Sequence, residues 1–305
     1  MVFVRESFEA MGTTAELTVG GDDANGLLDL ARFRLSELES RWSRFVESSE
    51  ISLLNRADGH AVQVSPDTLQ LVDNAIEGWR HTAGDFDPTV LHALMAVGYD
   101  RSFADLGTRE RRLIANQPTG PAVGCAGILV DKAASSVTLP DGVGFDPGGV
   151  GKGLAADLIA DEMIDAGAWG VCVNLGGDIR VRGISPTGGH WLVEIEPTEP
   201  HRQVCAVTLV DGGVATSSPA VRQWRDGERT RHHLLDPRTG DSVSNDVAAV
   251  TVVAAHTWQA DVLTKAVFVR GADAGLDLVE STGAAGRLLL ADGTERTSAT
   301  WSRFG

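Results

Sequence analysis

The sequence predicts an α+β fold built mostly from antiparallel sheets with packed helices. Three observations favour it: strand-like runs outnumber helical ones, many consecutive strands are separated by short turns, and neither repeats nor low-complexity linkers divide the 305 residues. Hydrophobic residues make up 43% of the chain and charged residues 22%, which is usual for a globular protein with a core of normal size. We therefore expect residues 1–305 to form one continuous unit of two lobes with a cleft between them.

The first half of the chain predicts one strand followed by two amphipathic helices. Residues 14–20 alternate in polarity, as a half-buried strand does. The helix after them has Asp22 or Asp23 available as its N-cap. Its apolar residues recur at steps of three or four: Leu28, Ala31, Leu35, Leu38, Trp42 and Phe45. The second helix begins at Ser65-Pro66, an N-cap followed by proline at the first helical position, and ends near Gly84.

Two less regular segments follow these helices. Residues 101–124 are polar and contain proline, and we expect a long surface excursion there. Residues 127–139 contain two short runs with strand character.

The second half of the chain is richer in strands. A glycine-rich turn leads into a helix over about residues 152–166. A last helix is predicted over residues 257–269 with Thr257 at its cap, and the tail predicts a hairpin around Asp292-Gly293. The strands between these helices are GVCVNL, IRVRG, HWLVEIEP, VCAVTLV, VATSS and the buried, β-branched run VAAVTVVAA.

Charge and cysteine content exclude several classes of protein. A formal net charge of −16 disfavours nucleic acid and anionic membranes as partners, although a local basic patch or a bound metal would still admit a small anion. Cys125, Cys172 and Cys205 form no CxxC pair, so neither a disulfide framework nor a zinc knuckle is indicated. The chain shows no signal peptide, no lipidation cysteine and no apolar run of about 18 residues, and we expect a cytoplasmic protein.

The segment Asp146-Pro-Gly-Gly-Val-Gly-Lys152-Gly153 enters a predicted helix. Glycines at a helix N-terminus offer free backbone N–H groups and a positive dipole end, which suit a phosphate. Lys152 adds a charge, but the spacing differs from that of a P-loop. A tight strand-to-helix turn would explain the same residues equally well.

Two further motifs end in aspartate. Asn174-Leu-Gly-Gly-Asp178 would let a ligand approach the backbone closely, although in isolation it is more typical of a hairpin turn. In Gly84-Asp-Phe-Asp87-Pro88-Thr89, the carboxylate of Asp87 either orients a partner or serves as an N-cap.

The C-terminal third carries hydroxyl, imidazole and carboxylate groups. Thr216-Ser217-Ser218 precedes His232-His233-Leu-Leu-Asp236-Pro237. If this piece is extended, the adjacent histidines face opposite sides, so at most one of them belongs to a given site, where it could act as a general base. Asp261, Thr264 and Lys265 share one helix face, which suits either a Mg²⁺ site or an i,i+4 surface ion pair.

The order and spacing of these motifs resemble those of the ApbE family, the FAD:protein FMN transferases. The ordered set runs from Met11-Gly12-Thr13, through Glu50–Asn55 and the motifs above, to Ala260-Asp261, so the resemblance covers about residues 8–270. It implies a T-fold-related, two-lobed α+β unit. It also implies that a Ser or Thr hydroxyl of an acceptor protein attacks the FMN-side phosphorus of FAD beside Mg²⁺, and that AMP leaves.

The resemblance also implies roles for individual residues. His233 would take the proton of the target hydroxyl, and Lys152 would assist at the phosphate. Asp261 would bind the metal with the carbonyl of Gly151, and Thr264 is the nearest hydroxyl. Phe45 falls where many members carry Tyr and would pack on the isoalloxazine ring. The other flavin-site positions are Met11, Gly12, Asp87, Gly149, Asn174, Gly176, Gly177, Asp178, Thr216, Ser217 and Asp236.

The chain departs from the family pattern at two positions. Members usually carry Thr four residues after the metal-binding Asp, where this chain has Lys265, and many carry an aromatic residue where this chain has Leu154. The ammonium of Lys265 either takes the place of the metal or leaves it to Thr264. Three functions therefore stay open: FMN transfer, FAD binding without transfer, and Mg²⁺-dependent hydrolysis of FAD to FMN and AMP.

Overall fold

The computed structural model describes residues 1–106, 120–195, 205–226 and 229–304. The helices are α1 (Ala24–Trp42), α2 (Glu50–Leu54), α3 (Pro66–His81), α4 (Leu91–Ala96), α5 (Gly151–Asp165), α6 (Thr257–Arg270) and α7 (Ala272–Ser281). The strands of the first half are β1 (Phe3–Ala10), β2 (Thr13–Gly20), β3 (Val62–Gln63), β4 (Leu129–Asp131) and β5 (Ser136–Thr138). Those of the second half are β6 (Gly170–Leu175), β7 (Asp178–Gly183), β8 (Trp191–Ile195), β9 (Cys205–Leu209), β10 (Gly212–Ser217), β11 (Gln223–Asp226), β12 (Arg229–His232), β13 (Leu235–Asp236), β14 (Asp241–Ser242), β15 (Val247–Ala254), β16 (Ala285–Leu290) and β17 (Glu295–Thr297).

Eight strands form the main sheet in the order β1-β2-β6-β7-β10-β15-β16-β17. A three-stranded sheet, β3-β5-β4, and the pairs β8–β9, β11–β12 and β13–β14 complete the strand pairing of the described residues. Every one of these pairs is antiparallel, so the predicted fold class is confirmed.

The two faces of the main sheet bury different layers. On β6, Val171, Val173 and Leu175 belong to a core that they share with α1, α3 and α5. Cys172 lies between them and faces the other way, where Val193 of the β8–β9 hairpin packs. Because side chains alternate along a strand, β6 packs against the helical layer on one face and the hairpin layer on the other. The buried faces of α6 and α7 continue the helical layer.

Side-chain caps mark the start of α1 and α3. The carboxylate of Asp23 accepts the N–H of Gly26 at 3.1 Å. The hydroxyl of Ser65 accepts the N–H of Thr68 at 3.3 Å. Both predicted caps are confirmed, since each satisfies a donor that the helix leaves unpaired.

The start of α6 depends on a residue from another helix. The prediction that Thr257 caps it was wrong, because Thr257 is the first helical residue and the flanking His256 makes no side-chain cap bond. The carboxylate of Asp157 on α5 instead accepts the N–H of Thr257 at 2.9 Å and that of Trp258 at 3.0 Å. A Cβ on Gly153 would lie 2.7 Å from the carbonyl oxygen of Thr257, so glycine is needed for this close approach of the two helices.

Replacing Asp157 by Ala should lower the free energy of unfolding by about 2 kcal/mol, because two N–H groups at the start of α6 lose their acceptor. Urea denaturation followed by circular dichroism measures the change. Asp165→Ala is the matched control, since Asp165 is an exposed residue of the same helix, and it should change stability by no more than about 0.5 kcal/mol. Equal effects of the two substitutions would contradict the capping role.

Other differences from the sequence predictions concern whole elements or their ends. Strand β1 and helix α7 were not predicted. Helix α1 ends at Trp42, so Phe45 lies beyond it and not on its apolar stripe. The predicted short strands at 127–139 and the hairpin around Asp292-Gly293 are confirmed.

Residues 107–119 of the predicted excursion at 101–124 lie outside the described residues. Among those described, no helix combines the length and apolarity needed to cross a membrane.

A cavity lined by a lysine–aspartate cluster

A cavity of about 290 Å³ opens where α1, α5 and α6 approach one another. Its wall combines the β1–β2 turn, the residues after α1, the glycine-rich loop before α5, the segment at residues 233–237 and one face of α6. Eight predicted site residues line it: Met11, Gly12, Phe45, Asp87, Gly149, Gly151, Lys152 and His233. The structure therefore brings residues from most of the sequence motifs to one place.

The glycine-rich loop presents its backbone to the cavity. Asp146 fixes the loop by accepting the N–H of Gly148 at 2.7 Å and an ion pair from Arg44 at 2.6 Å. A Cβ on Gly149 would lie 2.9 Å from the ring of Phe86, so the loop packs too closely for a side chain there. Helix α5 begins at Gly151 without a side-chain cap, and the N–H of Gly151 donates to the carbonyl of Pro147 at 2.7 Å. Gly151 and Lys152 line the cavity, so the positive end of the helix dipole lies at its wall.

Two lysines and two aspartates form what we call the lysine–aspartate cluster: Lys152, Asp178, Asp261 and Lys265. Lys152 on α5 contacts the carboxylate of Asp178, and its Nζ lies 4.0 Å from Oδ2 of Asp261. Lys265 contacts Oδ1 of Asp261 one helical turn away. The side chains of Asp178 and Asp261 are 2% and 0% exposed, whereas Lys152 and Lys265 keep 19% and 17% exposure and line the cavity. The carboxylates thus lie beneath a layer of ammonium groups.

The ionisation of the cluster reflects burial and close charges. Burial alone would raise the pKa of Asp261, but the ammonium groups of Lys265 and Lys152 outweigh it and lower that pKa. Burial and the neighbouring Asp261 raise the pKa of Asp178, against the opposing charge of Lys152. Although burial acts to lower it, the pKa of Lys152 is raised because Asp178 and Asp261 favour its charged form. Lys152 and Asp261 are accordingly charged at neutral pH.

The side chains of the two adjacent histidines point in different directions, as predicted. His233 lines the cavity, and its Nδ1 is buried without a hydrogen-bond partner. His232 faces away, where its Nε2 lies 3.0 Å from the carbonyl oxygen of Val243. Burial first, and then the positive charges of Arg222 and Lys265, hold the pKa of His233 well below its ordinary value. His233 is therefore neutral at neutral pH and can accept a proton.

Aromatic and cationic side chains together line another part of the cavity. The guanidinium of Arg44 lies 4.2 Å from the ring centroid of Phe45 and 4.7 Å from that of Tyr99. Arg222 donates to the Tyr99 hydroxyl at 3.0 Å and to the carbonyl of Gly12 at 3.3 Å, which links this side to the β1–β2 turn. An aromatic ring with a guanidinium beside it suits a planar aromatic ligand.

Asp87 has the capping role that the sequence offered as one of its two explanations. Its Oδ1 accepts the N–H of Thr89 at 2.8 Å and the hydroxyl of Thr89 at 2.6 Å. Burial raises the pKa of Asp87, although these bonds oppose the change. The same residue lines the cavity, so the cap also positions a carboxyl group there.

The other nine predicted site residues lie behind the cavity wall. Asn174 accepts the N–H of Gly177 at 2.9 Å and closes the β6–β7 hairpin turn. At Gly176, with φ +64°, a Cβ would lie 2.1 Å from the hydroxyl of Thr13, so this turn supports the β1–β2 turn from behind. The nine residues are Asn174, Gly176, Gly177, Asp178, Thr216, Ser217, Asp236, Asp261 and Thr264.

Hydroxyl groups at β10 tie the sheet to its neighbours. Thr216 bonds the hydroxyl of Thr251 on β15 at 3.0 Å, and Ser217 bonds that of Thr264 on α6 at 2.8 Å. Asp236 accepts the N–H of Arg238 at 2.9 Å and shapes the Asp-Pro turn.

The residues around Asp261 do not fit a divalent cation. Oδ1 of Asp261 is in contact with Lys265, and the ammonium of Lys152 lies 4.0 Å from Oδ2. The hydroxyl of Thr264 donates to the backbone carbonyl of Asp261 at 2.7 Å and also bonds Ser217. Within the described ranges, no group of three or more His, Cys, Asp or Glu side chains could hold a metal. The two ammonium groups in contact with the carboxylates of the lysine–aspartate cluster would repel Mg²⁺.

Several cavity residues were missed or undervalued at the level of sequence. Arg44, Tyr99 and Arg222 belong to no motif, although Arg44 adjoins Phe45, which was predicted. Lys265 was considered as an ion-pair partner of Asp261 and as a departure from the family pattern, but it was not among the predicted site residues. For Arg44, the one indication in the sequence is its position next to Phe45, which was predicted to contact the flavin.

The antiparallel sheet, the helical layer and the cavity at the helix entrance define an α+β protein of the flavin transferase fold. Solved structures share this fold: the ApbE protein of Thermotoga maritima superimposes with a TM-score of 0.88 at 25% identity over 99% of each chain. The flavin transferase ApbE of Vibrio cholerae superimposes with a TM-score of 0.79 at 23% identity, covering 100% of this chain and 99% of its own.

The chain belongs to the ApbE family, whose sequence model matches residues 11–288. Among relatives, an FAD:protein FMN transferase of Haemophilus influenzae is 28% identical over 272 residues, covering 84% of this chain and 76% of that protein. An FAD:protein FMN transferase of Salmonella typhimurium is 28% identical over 297 residues, covering 93% and 83%.

Proposed function

We propose that this protein transfers FMN from FAD to a Ser or Thr hydroxyl of an acceptor protein and releases AMP. The observation that carries the proposal is a neutral histidine, His233, facing the same cavity as two ammonium groups and a glycine-rich helix entrance. Phosphoryl transfer needs a proton acceptor at the nucleophile and positive charge at the phosphates. The cavity offers both, and the FAD:protein FMN transferases among its relatives support the assignment.

The reaction exchanges one phosphorus–oxygen bond for another. The acceptor hydroxyl oxygen attacks the FMN-side phosphorus, and its proton passes to the imidazole of His233. The bond from that phosphorus to the bridging oxygen breaks, and AMP leaves with the bonding electron pair on this oxygen. FMN stays on the acceptor as a phosphoester.

Some cavity residues stabilise the negative charge of the pyrophosphate, and others bind the isoalloxazine ring. The N-terminus of α5 and Lys152 face the pyrophosphate, since the positive end of a helix dipole and an ammonium stabilise its negative oxygens. Phe45, which is 41% exposed, offers an aromatic face to the isoalloxazine ring, with Arg44 held against it and against the buried Tyr99. The acceptor would present a short Ser/Thr-containing flavinylation motif at the open side. A cytoplasmic location and a single functional unit of residues 1–305 stay predictions from the sequence.

Incubation of the purified protein with FAD, with and without an acceptor peptide, tests the proposal. Chromatography separates FAD, FMN and AMP, and mass spectrometry detects a peptide that has gained FMN. The proposal expects AMP and modified peptide in equal amounts. Free FMN and AMP without peptide would indicate a pyrophosphatase instead, and intact bound FAD under every condition would indicate a binding protein.

The rate of transfer should stay constant through the pH range in which an ordinary histidine titrates. The base acts when neutral, and burial together with the charges of Arg222, Lys265 and His232 lowers the pKa of His233 well below 6.5. Protonation, and with it the loss of rate, is thereby displaced to more acidic pH. Measuring kcat/KM for FAD from about pH 5 to pH 8 checks this. An acid limb with a midpoint at 6.5 or higher would contradict it.

A further inference from the structure

The carboxylate of Asp261 already has cationic partners. Lys265 contacts one oxygen, and the ammonium of Lys152 stands 4.0 Å from the other. That second oxygen, Oδ2, is buried and accepts no hydrogen bond from the described residues. A cation that coordinated this oxygen would lie beside two positive charges, the ammonium of Lys152 at 4.0 Å and that of Lys265 on the other oxygen of the same carboxylate.

The position of Lys265 is fixed by its surroundings. It stands one helical turn after Asp261 on α6, a spacing that places the two side chains on the same face. Its Cε lies 3.7 Å from where a Cβ of Gly149 would stand, so its chain passes along the glycine-rich loop. Only 17% of the side chain is exposed, and that part lines the cavity.

The hydroxyl of Thr264, the residue before Lys265, has its hydrogen-bond partners outside the cavity lining. Thr264 donates to the carbonyl oxygen of Asp261 at 2.7 Å and bonds Ser217 at 2.8 Å, behind the wall. These two bonds hold the hydroxyl among groups outside the cavity lining, which does not include Thr264.

From these contacts we propose that Lys265 supplies the positive charge that a divalent cation would otherwise provide at Asp261, so that this chain needs no divalent cation. For its reaction the inference rests on the proposed function. Lys265 and Lys152 together face the pyrophosphate, and their charges stabilise the bridging oxygen as it takes the electron pair and leaves with AMP. Neither ammonium transfers a proton, because His233 receives the proton of the acceptor hydroxyl.

Direct titration with Mn²⁺, followed by the electron paramagnetic resonance signal of the free ion, tests the inference without turnover. The wild-type protein should leave the free Mn²⁺ signal unchanged. Lys265→Thr, which restores a hydroxyl four residues after Asp261, should take up one equivalent that Mg²⁺ displaces. The chain has three lysines, and Lys132→Thr is the matched control because Lys132 lies at the surface in an ion pair with Asp73. Uptake of one equivalent by the wild type would overturn the inference, whatever the variants do.

Transfer to an acceptor peptide gives the second measurement. The wild-type rate in EDTA should lie within about twofold of the rate in Mg²⁺. Lys265→Thr should lose about 100-fold in EDTA and recover when Mg²⁺ is added, since one charge-stabilising group is lost and then replaced. Wild-type transfer that requires Mg²⁺ overturns the inference but keeps the proposed function. Absence of transfer in both conditions overturns the proposed function, and the Mn²⁺ titration then decides the inference alone.

Discussion

Replacing His233 by Ala is expected to lower the rate of FMN transfer about a thousandfold, in line with the loss of a general base. The imidazole is neutral, faces the cavity and makes no ion pair, so its removal takes away the proton acceptor without leaving a buried charge unpaired. FAD binding should change by no more than about threefold for the same reason. Single-turnover rates and the quenching of flavin fluorescence measure the two effects separately.

His232→Ala is the matched control for this substitution. His232 lies next in the chain, but it bonds the carbonyl oxygen of Val243 and faces away from the cavity. Its loss should lower stability and leave the rate of transfer almost unchanged. If His233→Ala kept more than about a tenth of the wild-type rate, His233 would not be the base.

Replacing Lys152 by Met should lower both the rate of transfer and the stability. The rate should fall about 100-fold or more, because an ammonium in the cavity wall no longer faces the phosphates. The free energy of unfolding should fall by about 3 kcal/mol, because Asp178 is left as a buried carboxylate without its partner. Stopped-flow rates and urea denaturation measure the two quantities.

A second variant separates the two effects of Lys152. Adding Asp178→Asn to Lys152→Met removes the unpaired charge, so the double variant should regain most of the stability but none of the rate. The stability defect of Lys152→Met should also be smaller at acidic pH, because the raised pKa of Asp178 lets it become neutral there. Recovery of the rate in the double variant would show that Lys152 acts only by balancing Asp178.

Local sequence signals predicted the elements whose ends are fixed by their own residues. Ser65-Pro66 marked the start of α3 because the cap and the first helical residue are adjacent in the chain. The start of α6 was misjudged because its cap, Asp157, comes from α5, a hundred residues earlier. Strand β1 was missed because Glu6 interrupts the apolar residues Val4, Phe8 and Ala10 on its inward face, although burial alternates along the strand.

For the cavity too, features contained in a short stretch of sequence were predicted, and features formed by residues far apart in the chain were not. The glycine-rich loop and His233 were predicted since their chemistry is contained in short motifs. Arg44, Tyr99 and Arg222 come together only through the fold, and of the three only Arg44 has a neighbour in the chain, Phe45, that indicated a ligand. The contact of Lys265 with Asp261 was one of two alternatives at the level of sequence, and side-chain packing in the folded protein was needed to choose between them.

The capping of α6 by Asp157 has a consequence for ligand selection. Lys152 stands on α5 and Lys265 on α6, and the two helices are joined by the Asp157 cap and by the close approach at Gly153. The separation of the two ammonium groups is therefore set by helix packing before any ligand arrives, and binding requires little rearrangement of charge. Two cations at a preset separation bind best a ligand whose anionic groups are the same distance apart. This spacing favours a ligand with two linked phosphates over a ligand with one. Substitutions between α5 and α6 that do not contact the ligand would change the separation of the lysines and therefore the selectivity.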